Sequence, residues 1–237
     1  MPTDPADPAN PTGPAGPTGP AAEARPAPPE PGTVRPGGRT ARVRAAVLDA
    51  AGDALAEGGF AGLDLGDVAR RAGVGKTTVY RRWGSTTALV ADLLADMAEQ
   101  SSPRTDTGAL LDDLRANAHL VRSTLADPRQ GPLFRAVIAA ATCDERTAQA
   151  LHRFYEIRVA EWAPCVEQAV QRGELPPDTD AREVVRAVSA PLYHRFLLSG
   201  APLDEASAER AAQAAAAAAR AGAYRATPAP PCAIIEA

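Results

Sequence analysis

Residues 64–94, DLGDVARRAGVGKTTVYRRWGSTTALVADLL, decide the fold. Asp64 is a favourable N-cap residue, and Asp67 lies near the positive end of the helix that follows. Apolar residues then recur at helical spacing until Gly73 ends the helix. A second short helix, rich in cations, is predicted over 76–83. The stretch therefore predicts a helix-turn-helix motif over 64–83, whose second helix is the type of element that enters the major groove of DNA.

The charge of this motif supports a DNA contact. Five cations and no acid lie from position 70 to position 82, although the whole chain has a net charge of −4. A solvated basic helix face is the alternative interpretation of the charge alone, and the spacing of the turn favours DNA. Hydroxyl groups between the cations can also donate hydrogen bonds to phosphate. The side chains predicted to contact DNA from this helix are Lys76, Thr77, Thr78, Tyr80, Arg81 and Arg82.

The order of residues across 39–99 resembles that of the TetR (tetracycline-repressor) family of bacterial regulators. The matching positions are Phe60, Asp67-Val68-Ala69, Ala72-Gly73-Val74, the run from Lys76 to Trp83, and Ser85 with Ala88-Leu89. This resemblance implies a dimer of all-helical subunits, each with an N-terminal DNA-binding domain and a larger C-terminal domain for ligand binding and dimerisation. It also implies a repressor that a small molecule releases from DNA.

One position departs from the family pattern. The family usually has a lysine directly after the serine that opens the next helix, and this chain has Thr86 there. Because that lysine usually contacts a phosphate, we expect the salt dependence of DNA binding to be weaker by about one charge.

The segment Gly73-Val74-Gly75-Lys76-Thr77-Thr78 has a second interpretation, as part of a nucleotide-binding P-loop. That motif needs a glycine five residues before Gly75, where this chain has Arg70, and it needs a buried strand upstream, where this chain has an amphipathic helical pattern. The P-loop interpretation therefore fails.

Catalytic and metal sites find no support in the sequence. The three cysteines (143, 165 and 232) and three histidines (119, 152 and 194) lack ligand spacing, and no set of acid, base or nucleophile converges. We predict no enzyme activity, no cofactor and no metal. An odd number of cysteines and no apolar run of membrane-spanning length indicate a cytoplasmic protein without a membrane segment.

The composition divides the chain into four segments. Residues 1–37 hold twelve of the 23 prolines and few large apolar residues, so a disordered arm is predicted there. Residues 38–99 form the predicted DNA-binding domain. Residues 106–225 form the predicted helical ligand-binding and dimerisation domain, and 226–237 a flexible tail.

All regular structure is predicted to be α-helical. Besides the motif, helices are predicted over 39–58, 85–100, 107–126, 131–142, 144–172, 180–199 and 204–224, and no alternating strand pattern occurs. Arg42 and Arg44 lie in the first turns of the first helix, where cations oppose the helix dipole. A phosphate partner would explain this cost, so both are predicted to contact DNA.

The last two helices, 180–199 and 204–224, are predicted to form the interface of a homodimer. Apolar residues occupy nearly every face of the first, and the second is almost all alanine from 211 to 219, which permits close helix packing. The alternative is that both belong to the core of a monomer.

A ligand pocket is also predicted in the second domain. Its candidate lining residues are Asn117, Phe134, Tyr155, Trp162 and His194, which would combine aromatic walls with a few polar groups. Ordinary core packing is the alternative for each of them.

Together these patterns predict a homodimeric repressor that binds a palindromic operator in double-stranded DNA and is released by a small-molecule effector. The alternatives are a helical ligand-binding module with weakened or lost DNA binding, and a small helical enzyme.

Overall fold

The computed structural model describes residues 38–101 and 103–226, and within them regular structure is helical, as predicted. The predictions for 1–37 and for nearly all of the 226–237 tail lie outside these residues. The α-helices are α1 (Arg39–Gly58), α2 (Leu65–Arg71), α3 (Lys76–Trp83), α4 (Thr86–Glu99), α5 (Leu110–Ala126), α6 (Gln130–Ala141), α7 (Glu145–Gln171), α8 (Ala181–His194) and α9 (Glu205–Arg220).

Short polar side chains start five of these helices. The carboxylates of Asp64, Asp144, Asp180 and Asp204 and the hydroxyl of Ser85 each accept a hydrogen bond from a backbone N–H in the first turn. The donor–acceptor distances run from 2.7 Å at Asp144 to 3.2 Å at Ser85. Each cap satisfies an amide that would otherwise lack a partner, which is why the helix starts follow closely from the sequence.

Three predicted boundaries differ from the structure by three residues or more. The helix predicted over 204–224 ends at Arg220. Helix α5 begins at Leu110 rather than 107, because the Asp113 carboxylate accepts hydrogen bonds from both the backbone N–H and the hydroxyl of Thr107, at 2.8 Å each. This bonding holds Thr107 outside the helix. The helix predicted over 180–199 ends at His194 and continues as one π-helical turn, Arg195–Ser199. A 3₁₀ turn at Phe60–Gly62 was not predicted.

The helices share one continuous apolar core. Helix α1 packs on α6 and α4 packs along α7, while α5, α7, α8 and α9 form a bundle. Because the core continues from α1 to α9, the boundary predicted between 38–99 and 106–225 does not coincide with a gap in the packing. The two-domain division therefore stays a prediction.

Alanine dominates the contact of α9 with α5 and α8. Six alanines of α9 are buried: Ala208, Ala211, Ala212, Ala215, Ala216 and Ala219. Small side chains let the three helix backbones approach closely, so this part of the core depends on backbone proximity and not on bulky side chains.

Gly131 offers a test of the packing between α5 and α6. A Cβ atom at this position would lie 2.6 Å from the backbone oxygen of Leu125. We expect Gly131→Ala to lower the free energy of unfolding by about 1–3 kcal/mol, because the backbone must shift to relieve the overlap. Chemical denaturation at a fixed protein concentration measures this change.

Gly58 is the matched control, since it is also helical and a Cβ there meets no atom within 4 Å. Gly58→Ala should leave the stability unchanged or raise it by up to about 1 kcal/mol. Equal effects of the two substitutions would contradict the close approach at Gly131.

Candidate nucleic-acid interface

Helices α2 and α3 form the helix-turn-helix that the sequence predicted. Gly73 ends α2 with a positive φ of 65°, and the next N–H, that of Val74, donates to the Ala69 carbonyl at 3.0 Å. This bond closes the turn tightly. Val74 itself packs against the core, so the turn holds α3 at a fixed position beside α2.

One side of α3 is buried and the other is free. Val79 and Trp83 are the buried residues of the helix. Lys76, Thr77, Tyr80, Arg81 and Arg82 are exposed and Thr78 is partly buried, so every side chain predicted to contact DNA from α3 lies at or near its open surface. Tyr80 is 48% exposed, which is unusual for a large aromatic residue without a partner surface.

The cations of α3 differ from those of α2. Arg70 and Arg71 both form ion pairs with Asp67, and Arg71 also pairs with Glu57. In the part of the chain that the structure describes, no acid lies within 4 Å of the cationic groups of Lys76, Arg81 and Arg82. The guanidinium of Arg82 instead lies 5.1 Å from the centroid of the Trp83 ring. Positive charge available to an external anion is therefore concentrated on α3.

Lys76 also contacts α2. A Cβ built on Gly66 would lie 3.3 Å from both Cε and Nζ of Lys76, so the lysine side chain lies against the start of α2. Gly66 leaves room for it. The ammonium group is thus placed where α2 and α3 meet.

The structure gives Arg44 a different role from the predicted phosphate contact. Its guanidinium is partly buried and forms ion pairs with Asp92, at 2.7 Å, and with Asp96, both on α4. Hydrogen bonding to the Asp92 carboxylate, which accepts from the Arg44 guanidinium, is the largest cause that raises the pKa of Arg44 above its ordinary value. Because both acids already pair with it, the cost of a cation near the helix start is offset within the protein. Arg42, by contrast, is exposed.

Asp92 joins three helices, a role that was not predicted from the sequence. Its carboxylate accepts hydrogen bonds from Arg44 of α1 and from the indole N–H of Trp83 at the end of α3, the latter at 2.9 Å. The spacing of Asp92 and Asp96, one helical turn apart on α4, was the available signal. The bond to Trp83 fixes the orientation of α3 relative to α4.

A cavity of about 1060 Å³ lies between α1 and α4 on one side and helices α5 to α8 on the other. It is bounded by residues of α1, α4, α5, α6, α7 and α8. Four of the predicted pocket residues, Asn117, Phe134, Tyr155 and Trp162, line it. The fifth, His194, does not: it is exposed on α8, because that part of the helix turns its other side to the bundle.

Residues 38–101 and 103–226 contain neither a metal-binding cluster nor a membrane-spanning helix. No group of three or more histidine, cysteine or acidic side chains is arranged to hold a metal ion. No helix there is both long and apolar enough to cross a membrane. Cys232 lies outside the described residues.

Comparison with known proteins identifies similar sequences. The family model for bacterial regulatory proteins of the tetR family matches residues 47–93, and that for the tetracyclin repressor-like C-terminal domain matches residues 104–215. The chain is 33% identical over 164 residues to the DNA-binding transcriptional repressor TetR of Mycobacteroides abscessus, covering 68% of this chain and 85% of that protein. It is 30% identical over 156 residues to the HTH-type transcriptional regulator YdeS of Bacillus subtilis, covering 65% and 78%.

A solved structure is similar to this chain in both sequence and fold. The crystal structure of the TetR family transcription regulator SCO0332 superposes with a TM-score of 0.61 at 32% identity, covering 74% of this chain and 97% of that one.

The Asp92 junction can be tested by substitution. Asp92→Ala removes the acceptor of the Trp83 indole and one partner of Arg44, so we expect the free energy of unfolding to fall by about 1.5–3 kcal/mol. Asp112→Ala is the control, since Asp112 forms a more exposed pair with Arg115 within α5 and should cost less than about 1 kcal/mol. Denaturant titrations of both variants measure the difference. A loss no greater than that of the control would contradict a structural role for Asp92.

Proposed function

Because the chain belongs to the TetR family of bacterial transcriptional regulators, we propose that it is a homodimer that binds a palindromic operator through α3. A small-molecule effector is proposed to release this dimer from the DNA. The chain is a DNA-binding transcriptional regulator. The observation that carries the assignment of the DNA surface is the exposed face of α3, where three cations lie without an acid partner in the described residues.

The roles within this surface follow from side-chain chemistry. Thr77 and Lys76, at the start of α3, are proposed to lie nearest the base edges, and Tyr80 is proposed to donate to a phosphate. Arg81, Arg82 and Thr78 would contact the DNA backbone, and exposed Arg42 could do so from α1. Arg44 is left out of this surface, because its two carboxylate partners on α4 already engage it.

Fluorescence anisotropy with the DNA that flanks the gene, against scrambled competitor, tests this surface. The double variant Tyr80→Phe with Lys76→Ala should bind the specific DNA at least about tenfold more weakly, because it loses one cation and one hydroxyl donor. The slope of log affinity against log salt should also become shallower by about one. Arg146→Ala, which removes an exposed cation from α7, should change neither quantity.

If the flanking DNA binds no better than the scrambled DNA, selection from random sequences locates the operator. Failure of that selection to enrich any sequence would overturn the proposal and favour a ligand-binding module that has lost DNA binding.

The dimer is proposed to form through α8 and α9. Each helix buries one side in the bundle and leaves another side exposed. That side includes small residues, among them Ala190 and Pro191 on α8 and Ala214 and Ala217 on α9. Leu198, directly after α8, is 77% exposed, a high value for a leucine in a helical turn. A two-fold symmetric pair of these surfaces would form a four-helix contact and give two recognition helices for two half-sites.

Ala217→Glu tests this interface. It would place a carboxylate in the contact without changing the buried side of α9, so we expect the protein to dissociate into folded monomers at micromolar concentration. Analytical ultracentrifugation measures the mass, and circular dichroism checks the fold. Ala139→Glu, at an exposed position of α6, is the control and should remain dimeric. An unchanged dimer for Ala217→Glu would exclude this surface.

The cavity is proposed to bind the effector. Its lining includes Leu48 and Gly52 of α1 and Leu93 and Met97 of α4, besides residues of the C-terminal helices. A ligand there would contact α1 and α4, which pack against the motif, so it could favour one position of α4 over another. Release from DNA then requires that the ligand bind better to the arrangement in which the two recognition helices no longer match the half-sites.

A further inference from the structure

Arg158 of α7 lines the cavity with an unsatisfied guanidinium. Its Nη2 atom is buried and has no hydrogen-bond partner in the described residues. Burial lowers the pKa of Arg158 from its ordinary value, since the charge is only weakly compensated by Glu161 one turn away. A buried nitrogen of a cation without an acceptor is costly, so the site favours an anion that the protein itself does not supply.

The other charged groups around the cavity are engaged. Asp96 pairs with Arg44, and Asp49 pairs with Arg129 at 2.5 Å. Asp127 accepts the backbone N–H groups of Arg129 and Gln130 at the start of α6. Of the two cations in the lining, Arg129 is therefore paired with acids, and Arg158 is the one whose charge is open to a ligand.

Glu161 does not neutralise Arg158 directly. Its carboxylate accepts a hydrogen bond from the backbone N–H of Arg104 at 3.3 Å, and no oxygen of Glu161 lies within 4 Å of the Arg158 guanidinium. The remaining polar group of note is Asn117, whose Oδ1 is also buried without a partner among the residues described. Its amide can present an acceptor or, when rotated, a donor to a ligand.

Aromatic side chains form the nearby wall of the cavity. The rings of Phe134, Phe154, Tyr155 and Tyr193 form a series in which successive centroids are 5.4 Å apart, and Trp162 lies one turn from Arg158 on α7. Burial raises the pKa of Tyr193 to about 12, so its phenol stays neutral and does not compete for the arginine. An aromatic body would find edge and face contacts along this wall.

We propose that the effector is an aromatic organic anion, whose carboxylate or similar acidic group binds Arg158 while its ring system packs along Phe154, Tyr155 and Trp162. This inference rests on the proposed function, because it names the chemical class of the ligand for the same cavity. The cavity, at about 1060 Å³, is large enough for a molecule of two or three rings.

The test uses two fluorescent probes that differ in charge. Anilinonaphthalenesulfonate carries one negative charge, and N-phenylnaphthylamine has nearly the same ring system and none. Both are titrated into the full chain without DNA, with energy transfer from tryptophan as the signal. Substitution of Trp162 by phenylalanine should remove most of that signal for both probes, which locates them in the cavity.

Arg158→Gln should weaken binding of the anionic probe at least about tenfold and change binding of the neutral probe less than about twofold. Arg158→Lys, which keeps the charge, should retain part of the affinity for the anion. The matched control is Arg153→Gln on the same helix, since Arg153 is exposed and lies outside the cavity lining. It should leave both affinities unchanged.

Equal losses for the two probes in Arg158→Gln would overturn the proposal, because the arginine would then act through packing. No loss for the anion would overturn it as well. Removal of a buried unpaired charge should not unfold the protein, so the thermal unfolding temperature of Arg158→Gln should match that of the wild type. If Arg158→Gln is less stable than the wild type, the two probe affinities are measured with Arg158→Lys instead. The titration contains no DNA, so failure of operator binding in the earlier assay leaves its result intact.

Discussion

The hydrogen bonds accepted by the Asp92 carboxylate hold α1, α3 and α4 together around the helix-turn-helix. One comes from Trp83 at the end of α3 and the others from Arg44 of α1. A short helix such as α3, with eight residues, is not stable alone and has only two buried side chains to orient it. The hydrogen bond from Trp83, the last residue of α3, is directional and so restricts the orientation of the helix more than apolar contacts do. Together with the turn at Gly73 and the buried Val79, this bond fixes the direction of the exposed face of α3 relative to α4.

Helix α4 connects this junction to the cavity. Asp92 and Asp96 point toward α1 and α3, and the neighbouring Leu93 and Met97 line the cavity. The two functions thus occupy adjacent faces of one rigid element, one residue apart in sequence. A rotation or shift of α4 that accommodates a ligand must also move the acceptor of Trp83. The coupling that we propose between the cavity and α3 would therefore run through this shared helix.

The sequence alone predicted the helices well because their starts depend on neighbouring residues. Asp64, Ser85 and Asp144 cap helices through hydrogen bonds to residues three positions later. Such local bonds can be predicted from the sequence without knowledge of the fold. The partners of Arg44 lie 48 and 52 residues away, and that separation hid its role. The cavity posed the same difficulty, since six helices bound it. Arg158 and Tyr193 line it and were not predicted, whereas the predicted His194 does not line it, because its exposure depends on how α8 packs.

The alanine contact of α9 with α5 and α8 is rigid. An alanine side chain has no rotamers, so a contact built from six of them offers no alternative arrangements and gives up almost no side-chain entropy on folding. Elsewhere in the bundle, leucine and aromatic residues can exchange rotamers to absorb a small displacement. The α5, α8 and α9 side behaves as a stiff frame. We therefore expect a displacement at the cavity to be taken up by α1 and α4, which also line it and pack against the helix-turn-helix, rather than by α9.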